Sequence, residues 1–193
     1  MIKNFIRRAL PIAALSIPAT LHAHPGHGAT DLVSGIAHPL LGADHMLAMV
    51  AVGLLGAQLG GRARWALPVA FVGALALGTG LGLSGFAIPG VEHGIALSVL
   101  LLGTIIAFAT RLSLPAAAVI TAVCGIFHGT AHGVEMPADA SGMLFSVGMI
   151  AASAALHAAG LGIGSACITA SRASWLRFAG AATAVAALGM FVL

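Results

Sequence analysis

Charge is scarce in this chain: eight Lys and Arg and five Asp and Glu among 193 residues, with no Tyr and only two Cys. Soluble domains carry about 25% charged residues, so 7% charged and 60% hydrophobic residues point to a membrane protein. The formal charge of +3 is not gathered into a basic block or interleaved with aromatics, which sets nucleic acid aside as a partner. A Gly-x-x-x-x-Gly-Lys-[Ser/Thr] phosphate loop is missing, and no soluble stretch could house one, so the chain cannot itself use ATP. The His-Glu-x-x-His run of zinc hydrolases is missing too, which argues against an intramembrane metallohydrolase. Cys124 and Cys167 both lie inside apolar runs and are poor disulfide candidates.

What is present begins with Lys3, Arg7 and Arg8, followed by an apolar run from Ala9 to Leu21 that ends in Leu21-His22-Ala23. Roughly 13 apolar residues are too few to span a bilayer. The segment reads as a signal peptide over residues 1–23, with an uncleaved anchor as the alternative, and residues 24–193 form one transmembrane domain.

Apolar runs divide that domain into six candidate spans near residues 36–59, 66–86, 93–110, 114–134, 142–168 and 175–193. The expected fold is therefore an all-α integral membrane bundle of about six helices. Arg62 and Arg64, Arg111, and Arg172 with Arg177 fall on alternate connections, which the positive-inside rule makes cytoplasmic. Asp31, Glu92, Glu135 and Asp139 fall on the opposite connections. A cleaved signal peptide independently puts the new N-terminus outside, so the expected topology is N-out and C-out. Gly78, Gly80 and Gly82, and Gly160, Gly162 and Gly164, mark helices able to pack closely.

Two polar clusters interrupt the apolar sequence: His38-Pro39-Leu40-Leu41-Gly42-Ala43-Asp44-His45, and Phe127-His128-Gly129-Thr130-Ala131-His132-Gly133-Val134-Glu135. Ionisable groups within a span cost about 2.5–3.5 kcal/mol each on insertion scales, so their concentration marks an ion or proton pathway. His128, His132 and Glu135 are spaced i, i+4, i+7 and share one helix face, which Cys124 continues one turn deeper. Imidazoles with a carboxylate suit a borderline divalent ion such as nickel, zinc, copper or iron. Histidines bonded to neighbouring helices are the plainer alternative. His38 and His45, seven apart, are expected on one face of the first span, with Pro39 in its first turn. Asp44 either ligates or orients His45, by accepting its second N–H. Met49, one turn below, reads as packing rather than as a soft ligand.

The expected topology brings these clusters to the outer half of the bundle, with Glu92 and His93 at the start of the third span. His24 and His27, just beyond the cut, read either as first contacts for a cation or as a polar tail. His157 falls deeper, in the fifth span, as a relay or as a core residue bonded to a carbonyl. The metal ligands expected are thus His38, Asp44, His45, His128, His132 and Glu135. His24, His27, Glu92, His93, Cys124 and His157 are secondary or pathway residues.

The His-Pro-x-x-Gly-x-Asp-His run of residues 38–45, the Phe-His-Gly-x-Ala-His-Gly-x-Glu run of residues 127–135 and the His-Pro-Gly-His-Gly stretch of residues 24–28 resemble the HupE/UreJ family. The resemblance runs along essentially the whole chain. It implies uptake of nickel, in some members cobalt, across the bacterial inner membrane for hydrogenase or urease assembly. His38, Asp44, His45, His128, His132 and Glu135 occupy the family's motif positions. The ion is then a transported substrate, with no permanently bound cofactor and no enzymatic activity, and the implied partners are membrane lipids and downstream nickel chaperones. A membrane metal-binding accessory or sensor without transport is the alternative.

Overall fold

The computed structural model describes residues 28–136 and 141–191. The expected signal peptide over residues 1–23, and His24 and His27, lie outside the described residues. The described residues form seven α-helices: α1 (Gly28–Leu41), α2 (Ala43–Leu59), α3 (Ala63–Leu83), α4 (Val91–Ala107), α5 (Leu114–Glu135), α6 (Gly142–Thr169) and α7 (Ala173–Met190). By length and composition α3, α5 and α6 can each cross a membrane, and α1 with α2 adds a fourth crossing if the bent pair is one span. α4 is apolar but only 17 residues long.

Five of the expected spans coincide with α3 to α7 to within a few residues. The first does not: the chain turns by 79° between α1 and α2. Pro39 stands in the last turn of α1 rather than the first turn of a span, and has no N–H to give the helix ladder. Gly42 then adopts an extended conformation, φ −82° and ψ 112°, and α2 restarts behind it. Hence His38 and His45 do not share a helix face; they lie on two helices that meet at a corner.

Helix starts are signalled locally. Ser113 caps α5, its hydroxyl accepting the Ala116 N–H at 3.5 Å, with Pro115 just inside. Ser141 caps α6 in the same way through Leu144. The Ser141 N–H also donates to Asp31 of α1 at 2.9 Å, tying α1 to the start of α6.

Between helices, glycine sets the closest approaches beside a core of large side chains such as Phe71, Leu75 and Met149. α3 and α5 lie so close that a Cβ on Gly78 would stand 2.6 Å from the Ile126 carbonyl oxygen, and one on Gly125 would stand 2.5 Å from that of Phe71. Gly129 and Gly133 face the Leu75 and Thr79 carbonyls in the same manner. α6 takes α1 along its first turns, where Gly35 meets Phe145, and α2 below, where Gly160 meets Val50 and Gly164 meets Ala57. Gly103 and Gly180 join α4 to α7. Gly80 and Gly162 face open space, so of each expected glycine triplet only the i, i+4 pair is used, as the helical period requires.

This arrangement puts Arg62, Arg64, Arg111 and Arg172 at one end of the bundle and Asp44, Glu92 and Glu135 at the other. Arg177, in the second turn of α7, donates from Nε to the Ala107 carbonyl at 2.9 Å at the arginine end.

Candidate metal centre

The corner between α1 and α2 delivers His38 and His45 to the face of α5 that carries His128, His132 and Glu135. The ring centroids of His38 and His132 are 4.6 Å apart, those of His45 and His132 4.4 Å, and those of His45 and His128 4.8 Å. Four imidazoles from three helices therefore touch one another. His128 and His132 are fully buried and His45 nearly so, whereas His38 and Glu135 stand at the rim, with His38 Nε2 3.5 Å from Glu135 Oε2. His38, His132 and Glu135 can each offer one ligand atom with all three atoms within 4.8 Å of one another. Separation on this scale matches a shared ion better than direct hydrogen bonds.

Hydrogen bonding separates these histidines from the other buried polar groups. Buried hydroxyls are satisfied within their own helices: Thr79 donates to the Leu75 carbonyl at 2.9 Å, Thr121 to Ala117 at 3.0 Å, Ser153 to Met149 at 2.8 Å and Thr183 to Ala179 at 2.9 Å. The imidazoles are not. His45 Nε2, His128 Nδ1, both ring nitrogens of His132 and both of His157 are buried without a protein hydrogen-bond partner. Leaving such a group unpaired costs about 1–3 kcal/mol. A cluster of them is expensive unless something else takes the lone pairs.

Asp44 lies against its chain neighbour His45. Its Oδ1 accepts the His45 backbone N–H at 2.8 Å and lies 2.7 Å from His45 Nδ1. A carboxylate only accepts, so Nδ1 carries a proton, and in the neutral ring the buried Nε2 holds the free lone pair. That oxygen of Asp44 holds the His45 ring.

The secondary residues divide. Asp44, Glu92 and His93 line a cavity of about 130 Å³ with Met190 and Phe191 at the same end of the bundle, which puts Glu92 and His93 beside the site but not in it. Cys124 is buried and free, on the wall of a separate cavity of about 250 Å³ between α4 and α5. Met49 lies in the apolar core. His157 is cut off from the cluster by Phe71, whose ring is 5.6 Å from His128 on one side and 5.0 Å from His157 on the other.

Sequence reasoning missed Ser98 of α4. Its hydroxyl is 2.9 Å from His128 Nε2 and 2.7 Å from the Ile95 carbonyl oxygen. A lone serine in an apolar run carries no signal that it faces a histidine 30 positions away.

Apolar helices joined by glycine, around a buried set of unpaired imidazoles with carboxylates at its rim, define a multi-pass membrane protein with a metal-ligand donor set. The chain belongs to the HupE/UreJ family: the family model described as HupE / UreJ protein matches residues 12–190. Protein HupE of Rhizobium leguminosarum bv. viciae is 41% identical over 181 residues, which cover 94% of this chain and 95% of that relative. No solved structure matches the chain.

Proposed function

We propose that this protein carries a divalent transition-metal ion, nickel in the first place and cobalt in the second, from the periplasm to the cytoplasm. The observation that carries the reading is the cluster of four buried ring nitrogens on His45, His128 and His132 that no protein group satisfies, with His38, Glu135 and Asp44 beside them. Neutral imidazole is a good ligand for nickel, and a rim carboxylate offsets the ion's charge. Family membership supports nickel as the ion and hydrogenase or urease assembly as its destination, reached through cytoplasmic nickel chaperones.

In this reading α4 and α7 cross the membrane beside α3, α5, α6 and the bent α1–α2 pair, giving six passages in the bacterial inner membrane. The arginine end faces the cytoplasm by the positive-inside rule, and the metal centre faces the periplasm. The N-terminus left by signal-peptide cleavage is then periplasmic, and His24 and His27 meet the ion first. The ion sheds hydration water at the outer cluster and moves inward past Phe71 towards His157.

The membrane potential supplies the driving force. Each charge gains about 2.3 kcal/mol per 100 mV, so a divalent ion moving inward gains about 4.6 kcal/mol, enough for accumulation of roughly a thousandfold. The protein is a carrier, not an enzyme. Radioactive nickel uptake by cells expressing the chain, competed separately by cobalt, zinc and copper, tests the proposal. Uptake above the vector control, lost in His132→Ala, is the expected result; nickel bound by the purified chain without any uptake would make it an accessory protein instead.

A further inference from the structure

Ser98 Oγ stands 2.7 Å from the Ile95 carbonyl oxygen and 2.9 Å from His128 Nε2, with the Cys124 thiol as a third and weaker neighbour whose S–H can donate to the hydroxyl oxygen. The hydroxyl owns one proton, and a carbonyl oxygen can only accept. If that proton went to His128, two oxygen lone pairs would face each other across 2.7 Å. Both contacts are attractive in one assignment alone: Ser98 donates to Ile95 and accepts the Nε2–H of His128.

A neutral imidazole carries a single N–H, so placing it on Nε2 leaves Nδ1 as the lone pair. That Nδ1 is buried without a protein hydrogen-bond partner, and the residue as a whole has no exposure. Ser98 is itself buried, so water does not compete for its hydroxyl. His45, in edge-to-face contact with His128 at 4.8 Å, is fixed in the opposite sense, its Nδ1–H held by Asp44 and its Nε2 bare.

We propose that Ser98 is a positioning residue that locks His128 as the Nε2–H tautomer, so that His128 offers the ion Nδ1 while His45 offers Nε2. The inference rests on the metal-carrier reading for its consequence but not for its geometry. Nδ1 is bonded directly to Cγ, whereas Nε2 lies on the far side of the ring. Ligation through Nδ1 therefore draws the ion towards the α5 backbone and away from α4, and Ser98 contributes to affinity without touching the ion. Groups that fix a ligating histidine from behind typically change metal affinity 10–100-fold.

The test uses the full chain in lipid, metal-free and labelled with ¹³C and ¹⁵N at histidine, read by magic-angle-spinning spectra that separate the two tautomers. The His128 signals are identified by their loss in His128→Gln. Wild type is expected to show His128 as pure Nε2–H. Ser98→Ala should give a mixture of tautomers and a nickel dissociation constant raised about tenfold, while Ser98→Thr, which restores a hydroxyl, should recover both. An Nδ1–H pattern in wild type would overturn the proposal whatever the variants do. So would Ser98→Ala with an unchanged tautomer, or with a mixed tautomer and unchanged affinity. Should Ser98→Ala fail to fold, the wild-type spectrum still decides. A wild-type chain with the Nε2–H tautomer that binds no nickel would sink the carrier reading and leave the role of Ser98 standing.

Discussion

Asp44 holds His45 by two hydrogen bonds to one oxygen: Oδ1 accepts the His45 backbone N–H at 2.8 Å and the ring Nδ1–H at 2.7 Å. Asp44→Ala removes both and frees the ring to turn or to switch tautomer. Nickel affinity should fall 10–100-fold, the range seen when the outer partner of a ligating histidine is lost. Asp44→Asn keeps an accepting oxygen without the charge and should fall between wild type and Asp44→Ala. Isothermal titration of the purified protein with nickel measures the series; equal affinity in all three would show that the pair does not serve the ion.

Glu135 is the exposed member of the group it forms with His38 and His132, and the proposed function makes it a ligand at the rim. Glu135→Gln preserves shape and hydrogen bonding while removing the charge that compensates an incoming cation. Nickel uptake should drop by at least about tenfold, since a direct ligand matters no less than an outer one. Helix content by circular dichroism should not change, because the side chain holds no core position. Uptake at the wild-type rate would take Glu135 out of the ligand set.

Why some of the site is legible in the sequence follows from helical period. His128, His132 and Glu135 sit on one α5 face because i, i+4, i+7 is a property of any helix. The meeting of α5 with His38 and His45 was legible only as a shared end of the bundle, since nothing local fixes which helices touch. The 79° turn at Gly42 escaped because His38 to Leu59 is apolar enough to read as one span and Pro39 is equally at home in a first turn. Ser98 escaped because its role exists only across the α4–α5 interface.

The glycines that join α3 to α5 hold the histidine face in place. A Cβ on Gly78 would meet the Ile126 carbonyl at 2.6 Å, backbone that cannot step aside, whereas Gly80 two residues on faces nothing within 4 Å. Gly78→Ala should destabilise the fold by about 1–3 kcal/mol, as overpacked cores do. Gly80→Ala should instead raise stability by up to about 1 kcal/mol through helix propensity. Thermal unfolding in detergent, followed by thiol-reactive fluorescence at Cys124 and Cys167, compares the two. Opposite shifts in midpoint are expected; equal shifts would mean that α3 and α5 are not in contact at Gly78.

Orientation is open to a direct check. Arg62, Arg64, Arg111 and Arg172 share one end of the bundle, and α7 runs from that end to the end that carries the histidines. If the arginine end is cytoplasmic, a reporter fused after Leu193 lies in the periplasm. Alkaline phosphatase fused there should be active and green fluorescent protein dark. The reverse pattern would place the metal centre on the cytoplasmic side and end its role as the point of capture from the periplasm.

Gly42 makes the corner and also touches the pair behind it. A Cβ there would stand 3.0 Å from Asp44 Oδ1 and 3.1 Å from His45 Nδ1, while the backbone angles, φ −82° and ψ 112°, are ones that alanine adopts freely. Gly42→Ala therefore leaves the turn in place and pushes the Asp44–His45 bond by a few tenths of an ångström. A displacement that small disturbs the position of a ligand without removing it, so nickel uptake should fall several-fold, with thermal stability within about 0.5 kcal/mol of wild type. Pro39→Ala acts on the other cause of the turn: it restores a backbone donor in the last turn of α1 but leaves the Gly42 break. Its uptake should therefore exceed that of Gly42→Ala. If Pro39→Ala proved the more damaging of the two, the proline rather than the Asp44–His45 geometry would be what the corner protects.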